Sequence, residues 1–158
     1  MSKKKLCECL FDTILYGTSY TDVDVTFNME LEKDEKIIFF ALDGCKKNTF
    51  LSSNDGKRCD LMVVYIKKNK EKVICFIELK KGSTEGADKQ IKDAIKRLQE
   101  FKIIPKNNKI YRLALGNVSS HSNSKRNNKS NNRELYVRST TDALVKHIRH
   151  MGDNGQKF

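Results

Sequence analysis

Two acids and a lysine stand at the ends of otherwise apolar strand-like runs, and their spacing fits a cation-assisted chemistry. Residues 59–66 read Cys-Asp-Leu-Met-Val-Val-Tyr-Ile, and residues 73–80 read Val-Ile-Cys-Phe-Ile-Glu-Leu-Lys. Asp60 heads the first run; Glu78 and Lys80 close the second. Side chains alternate along a strand, so Glu78 and Lys80 project from the same face. A hairpin through the polar patch Lys67 to Lys72 can bring that face back to Asp60. Charges placed there cost about several kcal/mol each if unpaired, and two close carboxylates repel. A hard divalent cation resolves both costs, because Mg²⁺ takes oxygen ligands from one or two carboxylates and from water. The Leu79 backbone carbonyl, between the two side chains, can add a further oxygen. Such an ion acidifies a water and holds it in line with phosphorus, and Lys80 can orient that water or offset charge on the phosphoryl group. The plain alternative is an inter-strand salt bridge, Glu78 with Lys80 and Asp60 with Lys81.

The elements that must position these residues follow from hydrophobic spacing. Residues 4–16 read as a helix, with Leu6, Cys7, Leu10, Phe11, Ile14 and Leu15 on one broad face and Gly17 as its stop. Alternation predicts a strand over 23–31 and a stronger one over 36–42. Asp43-Gly44 and Asn54-Asp55-Gly56 are turn signals around the short run Thr49-Phe50-Leu51. The strands 59–66 and 73–80 are apolar on both faces, as strands in the middle of a covered sheet are. A helix over roughly 85–101 follows, with Ala87, Ile91, Ala94, Ile95, Leu98 and Phe101 as its buried stripe. Strands at 109–115 and 133–138 and a helix at about 140–150, capped from Ser139 to Thr141, complete the chain. The reading is one α/β domain over 1–158, a central mixed β-sheet flanked by helices. A polar, basic insertion at 117–132 is expected to be mobile.

The pattern Asp60 … Glu78-Leu79-Lys80 resembles the signature of the PD-(D/E)XK nuclease superfamily. The resemblance implies a restriction-endonuclease-like core in which helix, three strands, helix and strand span about residues 4–116. It implies that Asp60 and Glu78 bind the metal with the Leu79 carbonyl, that Lys80 is catalytic, and that the helix follows the motif directly. It also implies a functional glutamine near the start of that helix, which Gln90 matches, although Ala94 stands where a longer motif has tyrosine. Glu8 on the first helix corresponds to the extra metal acid of many members; the alternative for Glu8, as for Asp12, is a solvated helix edge. Cys59 replaces the proline often found before the first acid. The expected activity is Mg²⁺-dependent hydrolysis of phosphodiester bonds, with Mn²⁺ able to substitute, by an endonuclease acting on DNA.

Composition narrows the partners. Lysine and arginine exceed aspartate and glutamate by 31 to 20, a formal charge of +11, and such an excess gains affinity for phosphate backbones by counterion release. Lys81, Lys125, Arg126 and Lys129 are the candidate nucleic-acid contacts. DNA is the expected partner, with RNA as the alternative in an RNA-cleaving defence nuclease. A non-catalytic nucleic-acid-binding or assembly module on the same fold is the other competing reading. A chain this small has little room for a sequence-reading domain, so a homodimer or partner protein is expected to supply specificity. No run approaches the ~20 apolar residues of a membrane span, and no signal-peptide pattern opens the chain, so a cytoplasmic location is expected. Cys7, Cys9, Cys45, Cys59 and Cys75 form no Cys-x-x-Cys pair, which argues against zinc or iron–sulfur. His121 falls in the polar insertion. His147 and His150 suit the negative end of the last helix.

Overall fold

The computed structural model describes residues 8, 10–22, 24–43, 58–105, 109–117 and 135–151. Among the described residues, eight strands and two full-length helices are defined: β1 (Ile14–Leu15), β2 (Ser19–Asp22), β3 (Val25–Asn28), β4 (Lys36–Ala41), β5 (Leu61–Ile66), β6 (Lys72–Ser83), α1 (Ala87–Glu100), β7 (Ile110–Asn117), β8 (Leu135–Arg138) and α2 (Thr141–His150). Six strands form one mixed sheet in the order β1-β4-β5-β6-β7-β8, and β2 pairs with β3 as a separate hairpin. The pairs β1–β4, β4–β5 and β5–β6 are antiparallel; β6–β7 and β7–β8 are parallel. A parallel step needs a crossover, and α1 supplies it between β6 and β7. The α/β class with a central mixed sheet is therefore as the sequence reading has it.

Both faces of the sheet are covered, which explains why β5 and β6 are apolar throughout. On one face Leu61, Val63, Cys75, Ile77, Leu79, Leu113 and Leu115 pack with Leu144 and Ile148 of α2 and with Phe27 of the β2–β3 hairpin. On the other, Met62 and Phe76 pack with Ile91, Ala94 and Leu98 of α1 and with Leu10. Burying each such aliphatic or aromatic side chain stabilises the fold by about 1.5–3 kcal/mol. Helix α2 starts at Thr140, whose side-chain oxygen accepts from the Ala143 N–H at 3.3 Å, within the expected cap.

Two expectations need correction. The helix read over 4–16 does not run that far: Glu8, Leu10 and Phe11 are helical, and Ile14 and Leu15 are strand β1 against Phe40 and Phe39. The apolar spacing suited a helix, but the open edge of β4 offers backbone partners that override it. The strand read over 23–31 is present as the shorter β3, and it pairs with β2, which the reading took as a polar turn, with Ser19 opposite Asn28 and Asp22 opposite Val25. The turn between them includes Asp24 at φ 63°, a left-handed conformation that aspartate tolerates better than most residues. The run 49–51, the insertion beyond Asn117 with His121, Lys125, Arg126 and Lys129, and Cys7, Cys9 and Cys45 lie outside the described residues.

Candidate metal and phosphoryl-transfer site

The register of the central hairpin brings the motif together. Paired residues of β5 and β6 run from Ile66 with Lys72 to Leu61 with Ile77. Just past the end of that ladder, Asp60 comes up beside Glu78 and Leu79. Met62 and Phe76 lie on the α1 side, so alternation along β6 puts Glu78 and Lys80 on that side too, while Asp60 sits in the bend just before β5. Asp60 and Glu78 also contact each other's strand: the Asp60 N–H donates to Glu78 Oε2 at 3.3 Å, and the Leu79 N–H donates to Asp60 Oδ2 at 2.6 Å. The Leu42 N–H donates to the Asp60 carbonyl at 2.9 Å, which fastens the end of β4 to the same corner.

Lys80 is aimed at the acids by its contacts. Its Nζ lies 2.5 Å from Glu78 Oε1 and donates to Gln90 Oε1 at 3.2 Å. Gln90, on the inner face of α1, spends its other end on the Arg58 carbonyl, 2.9 Å from Nε2. Both polar ends of Gln90 are thus engaged within the protein, and it acts here as a brace for Lys80. The strand itself is deformed at this residue. The parallel register of β6 with β7 shifts between Leu79 and Ser83, so that three β6 residues, Lys80 to Gly82, stand against Gly116 alone. A Cβ on Gly116 would sit 2.8 Å from the Lys80 carbonyl oxygen and 3.1 Å from the Lys80 Cβ. Glycine at 116 is what lets the bulge that carries Lys80 close onto β7.

The electrostatics are unfavourable to two free carboxylates. Glu78 is fully buried and Asp60 is 7% exposed. Burial, then the charge of Glu78, pushes the Asp60 carboxyl up to about 8, against the Leu79 N–H bond that lowers it. Burial also raises Glu78, opposed by Lys80. Glu78 Oε1 has the Lys80 ammonium as its counter-charge but makes no well-directed hydrogen bond among the described residues.

Two further acids enter from other elements. Carboxylate oxygens of Asp22, Asp43 and Asp60 all lie within 4.8 Å of one another. Asp22 ends β2 and Asp43 follows β4, so three segments converge at one end of the sheet. The Tyr20 hydroxyl donates to Asp43 Oδ1 at 2.8 Å and ties the hairpin to that end. The sequence reading missed Asp22 and Asp43, although Asp43-Gly44 was visible as a turn signal. Searched against protein-family models, curated proteins and solved structures, the chain matches none.

Other candidate residues are placed as follows. Glu8 is exposed and stands outside the group formed by Asp22, Asp43 and Asp60. Lys81 is exposed and pairs with Asp24 at 2.9 Å, not with Asp60. The basic turn Lys67 to Lys72 joins the ends of β5 and β6 opposite to the site, and Lys67, itself buried, pairs with Glu71 at 3.6 Å. Cys59 and Cys75 are buried thiols; burial, then Glu78 and Asp60, pushes the Cys59 thiol well up, which suits packing and not nucleophilic work. No helix among the described residues is long and apolar enough to cross a membrane.

Proposed function

We propose that this chain is a divalent-cation-dependent nuclease of the PD-(D/E)XK type, hydrolysing phosphodiester bonds, with DNA as the preferred substrate. The observation that carries the reading is the close approach of Asp60 and Glu78 at the buried end of two central strands, with the Asp60 carboxyl pushed up to about 8. A structural salt bridge would hold a carboxyl below its ordinary range. Here the surroundings oppose ionisation, and a cation bound by the acids reverses that balance. The succession of three antiparallel strands, a helix and a further parallel strand (β4, β5, β6, α1, β7) agrees with the restriction-endonuclease-like core that the motif implies.

The donor set suits a hard ion. It consists of carboxylate oxygens, with neither imidazole nor thiol among the three grouped acids, as expected for Mg²⁺ or Mn²⁺ and not for zinc. Asp60 would hold the ion, with Glu78 and the Leu79 carbonyl on one side and Asp22 and Asp43 on the other. When bound, the ion supplies Lewis acidity and charge neutralisation at the phosphoryl group. The chain's own residues do the rest. Lys80, held by Gln90, keeps its ammonium at Glu78 and is placed to meet negative charge developing on a phosphoryl oxygen. Gln90 keeps that ammonium from swinging to solvent, and the buried rim formed by Cys59, Leu42 and Met62 limits water on the α1 side.

The test is direct. The purified chain, incubated with Mg²⁺ or Mn²⁺, should nick or cut DNA, and with the fold intact Asp60→Ala should abolish the cutting and Lys80→Ala should lower it by about 10²–10³. Undiminished cleavage by both variants, or no divalent-dependent cleavage of DNA or RNA by the parent, refutes the reading. The short Lys80–Glu78 contact is the one feature that fits equally well a non-catalytic nucleic-acid-binding module. Salt-sensitive DNA binding with no bound divalent ion by calorimetry would mark that case. A homodimer or partner protein belongs to the proposal as the source of specificity, and sedimentation tests it.

A further inference from the structure

Four basic side chains converge on a second place, away from the acids. A cavity of about 250 Å³ is lined by Arg138, Ala143, Lys146, His147 and His150, with no acid among its lining residues. Arg138 comes from the end of β8, the others from α2. The Arg138 guanidinium donates to its neighbour's carbonyl, Val137 O, at 2.8 Å, and neither it nor Lys146 has a carboxylate partner among the described residues. His147 is stacked on Tyr136, with ring centroids 4.2 Å apart, and its buried Nε2 has no hydrogen-bond partner among the described residues. Burial, then the charges of Arg138 and His150, holds His147 below its ordinary imidazole value. The negative end of α2 explains cations in its last turn, such as His147 and His150. It does not explain Arg138 arriving from a different element, or a buried ring nitrogen without a partner.

We infer that this cavity is a phosphate-binding site, taking a backbone phosphate of a nucleic-acid strand through Arg138, Lys146 and His147. The volume is below the roughly 300–1,000 Å³ of pockets that enclose drug-sized ligands, so it suits one phosphate group and not a whole nucleotide. An oxyanion supplies what the cluster lacks: an acceptor for the guanidinium fork, a counter-charge for Lys146 and a partner for His147 Nε2. The position fits a strand that also reaches the acids. Leu79 pairs with Leu115, and Leu115 pairs with Arg138, so Arg138 lies at the same end of the sheet as Glu78, two strand spacings (about 10 Å) across it; its side chain is on the α2 face, and a strand passing over that end of the sheet meets both. The inference rests on the nuclease reading for the identity of the strand, but not for the binding itself.

The experiment uses the full chain labelled with ¹⁵N-histidine, in chelator and without divalent ions, so that no cleavage is involved. Inorganic phosphate and a short single-stranded DNA are titrated separately, with sodium chloride at matched ionic strength as the control. Both phosphate and DNA should shift the His147 ring nitrogens where chloride does not. Arg138→Gln should weaken both by roughly tenfold, the worth of one charge-assisted hydrogen bond. Lys146→Gln, an exposed position, provides a second variant should Arg138→Gln fail to fold. A silent His147, or shifts that chloride reproduces, overturns the site; a response to phosphate but not to DNA overturns its assignment to a strand. A chain that binds phosphate here yet never cuts refutes the nuclease reading alone.

Discussion

Replacing Asp60 by asparagine should make the metal-free protein more stable, and the size of the gain follows from its surroundings. Asparagine keeps an oxygen that can accept from the Leu79 N–H, now 2.6 Å from Asp60 Oδ2, but it cannot ionise. In the folded chain the carboxyl is pushed from an ordinary 3.8 up to about 8 by burial and by Glu78. The folded state therefore holds this proton more tightly than the unfolded state, and stability is lost as pH rises from about 4 towards 8. At pH 7 the unfolded chain has gained about three pH units of ionisation that the folded chain has not, each worth about 1.36 kcal/mol. The carboxyl thus costs up to about 4 kcal/mol, and relaxation around the ionised group makes about 2–4 kcal/mol the expected gain for Asp60→Asn. For a domain of this size that is a rise in Tm of about 4–16 °C. Calorimetric unfolding of both proteins in chelator, from pH 4 to pH 8, measures it: the gap should be small at pH 4 and widen with pH. Mn²⁺ should then stabilise the parent, by about 2.7 kcal/mol at a hundredfold excess over its Kd, and leave Asp60→Asn unchanged. If Asp60→Asn is the less stable protein at pH 7 without metal, or if the gap does not vary with pH, Asp60 is a structural partner and the argument for a cation site fails.

The remaining predictions concern Lys80 and its supports. Lys80→Ala should lower the cleavage rate by about 10²–10³, the loss seen when one transition-state charge donor is removed; single-turnover kinetics at saturating Mg²⁺ would show it. Gln90→Ala should lower the rate less than Lys80→Ala, and should also cost about 0.5–1.5 kcal/mol of stability by removing the hydrogen bond to the Arg58 carbonyl; urea unfolding reads the second effect. Gly116→Ala should destabilise by about 1–3 kcal/mol and depress cleavage, because its Cβ would meet the Lys80 carbonyl oxygen at 2.8 Å. Gly82→Ala is the matched control, since a Cβ there meets nothing within 4 Å; equal losses from both glycines would refute the placement of Lys80 by the bulge.

Different parts of the site were legible to different degrees. Glu78 and Lys80 were readable together because period-two alternation is a local property of one strand. Asp60 was readable because an acid at the head of an apolar strand needs a partner, and the hairpin then brings it beside Glu78 and Leu79. Asp22 and Asp43 were not readable. Each lies beside a turn, where aspartate is ordinary, and only the folding of the β2–β3 hairpin over the sheet brings Asp22 near Asp43 and Asp60. The bulge at Lys80 was hidden for a related reason: it exists only relative to β7, and Gly116 looks like an unremarkable strand glycine until its neighbour across the ladder is known. The end of the first helix failed because β4's free edge lies well beyond any local window.

The distribution of charge bears on why these acids sit where they do. The chain carries an excess of eleven positive charges, yet the cations nearest the acids leave Asp60 poorly compensated. Lys80 is drawn to Glu78, and Lys81 to Asp24 across the hairpin turn. Burial first, then the charge of Glu78, drives the Asp60 carboxyl upward, with Asp22 adding to the rise and Lys80 opposing it. A fold selected only for stability could remove that cost by one substitution, because asparagine fills nearly the same space. Retaining an ionisable group at a position that opposes ionisation makes sense if something outside the chain repays the cost when it binds. The same ion that offsets the repulsion among Asp22, Asp43, Asp60 and Glu78 would present positive charge at an acidic spot of a basic protein, where a phosphodiester would otherwise be repelled. On this reading the basic surface gathers the strand, and the acid cluster, unfavourable on its own, becomes attractive to phosphate only with its cation in place.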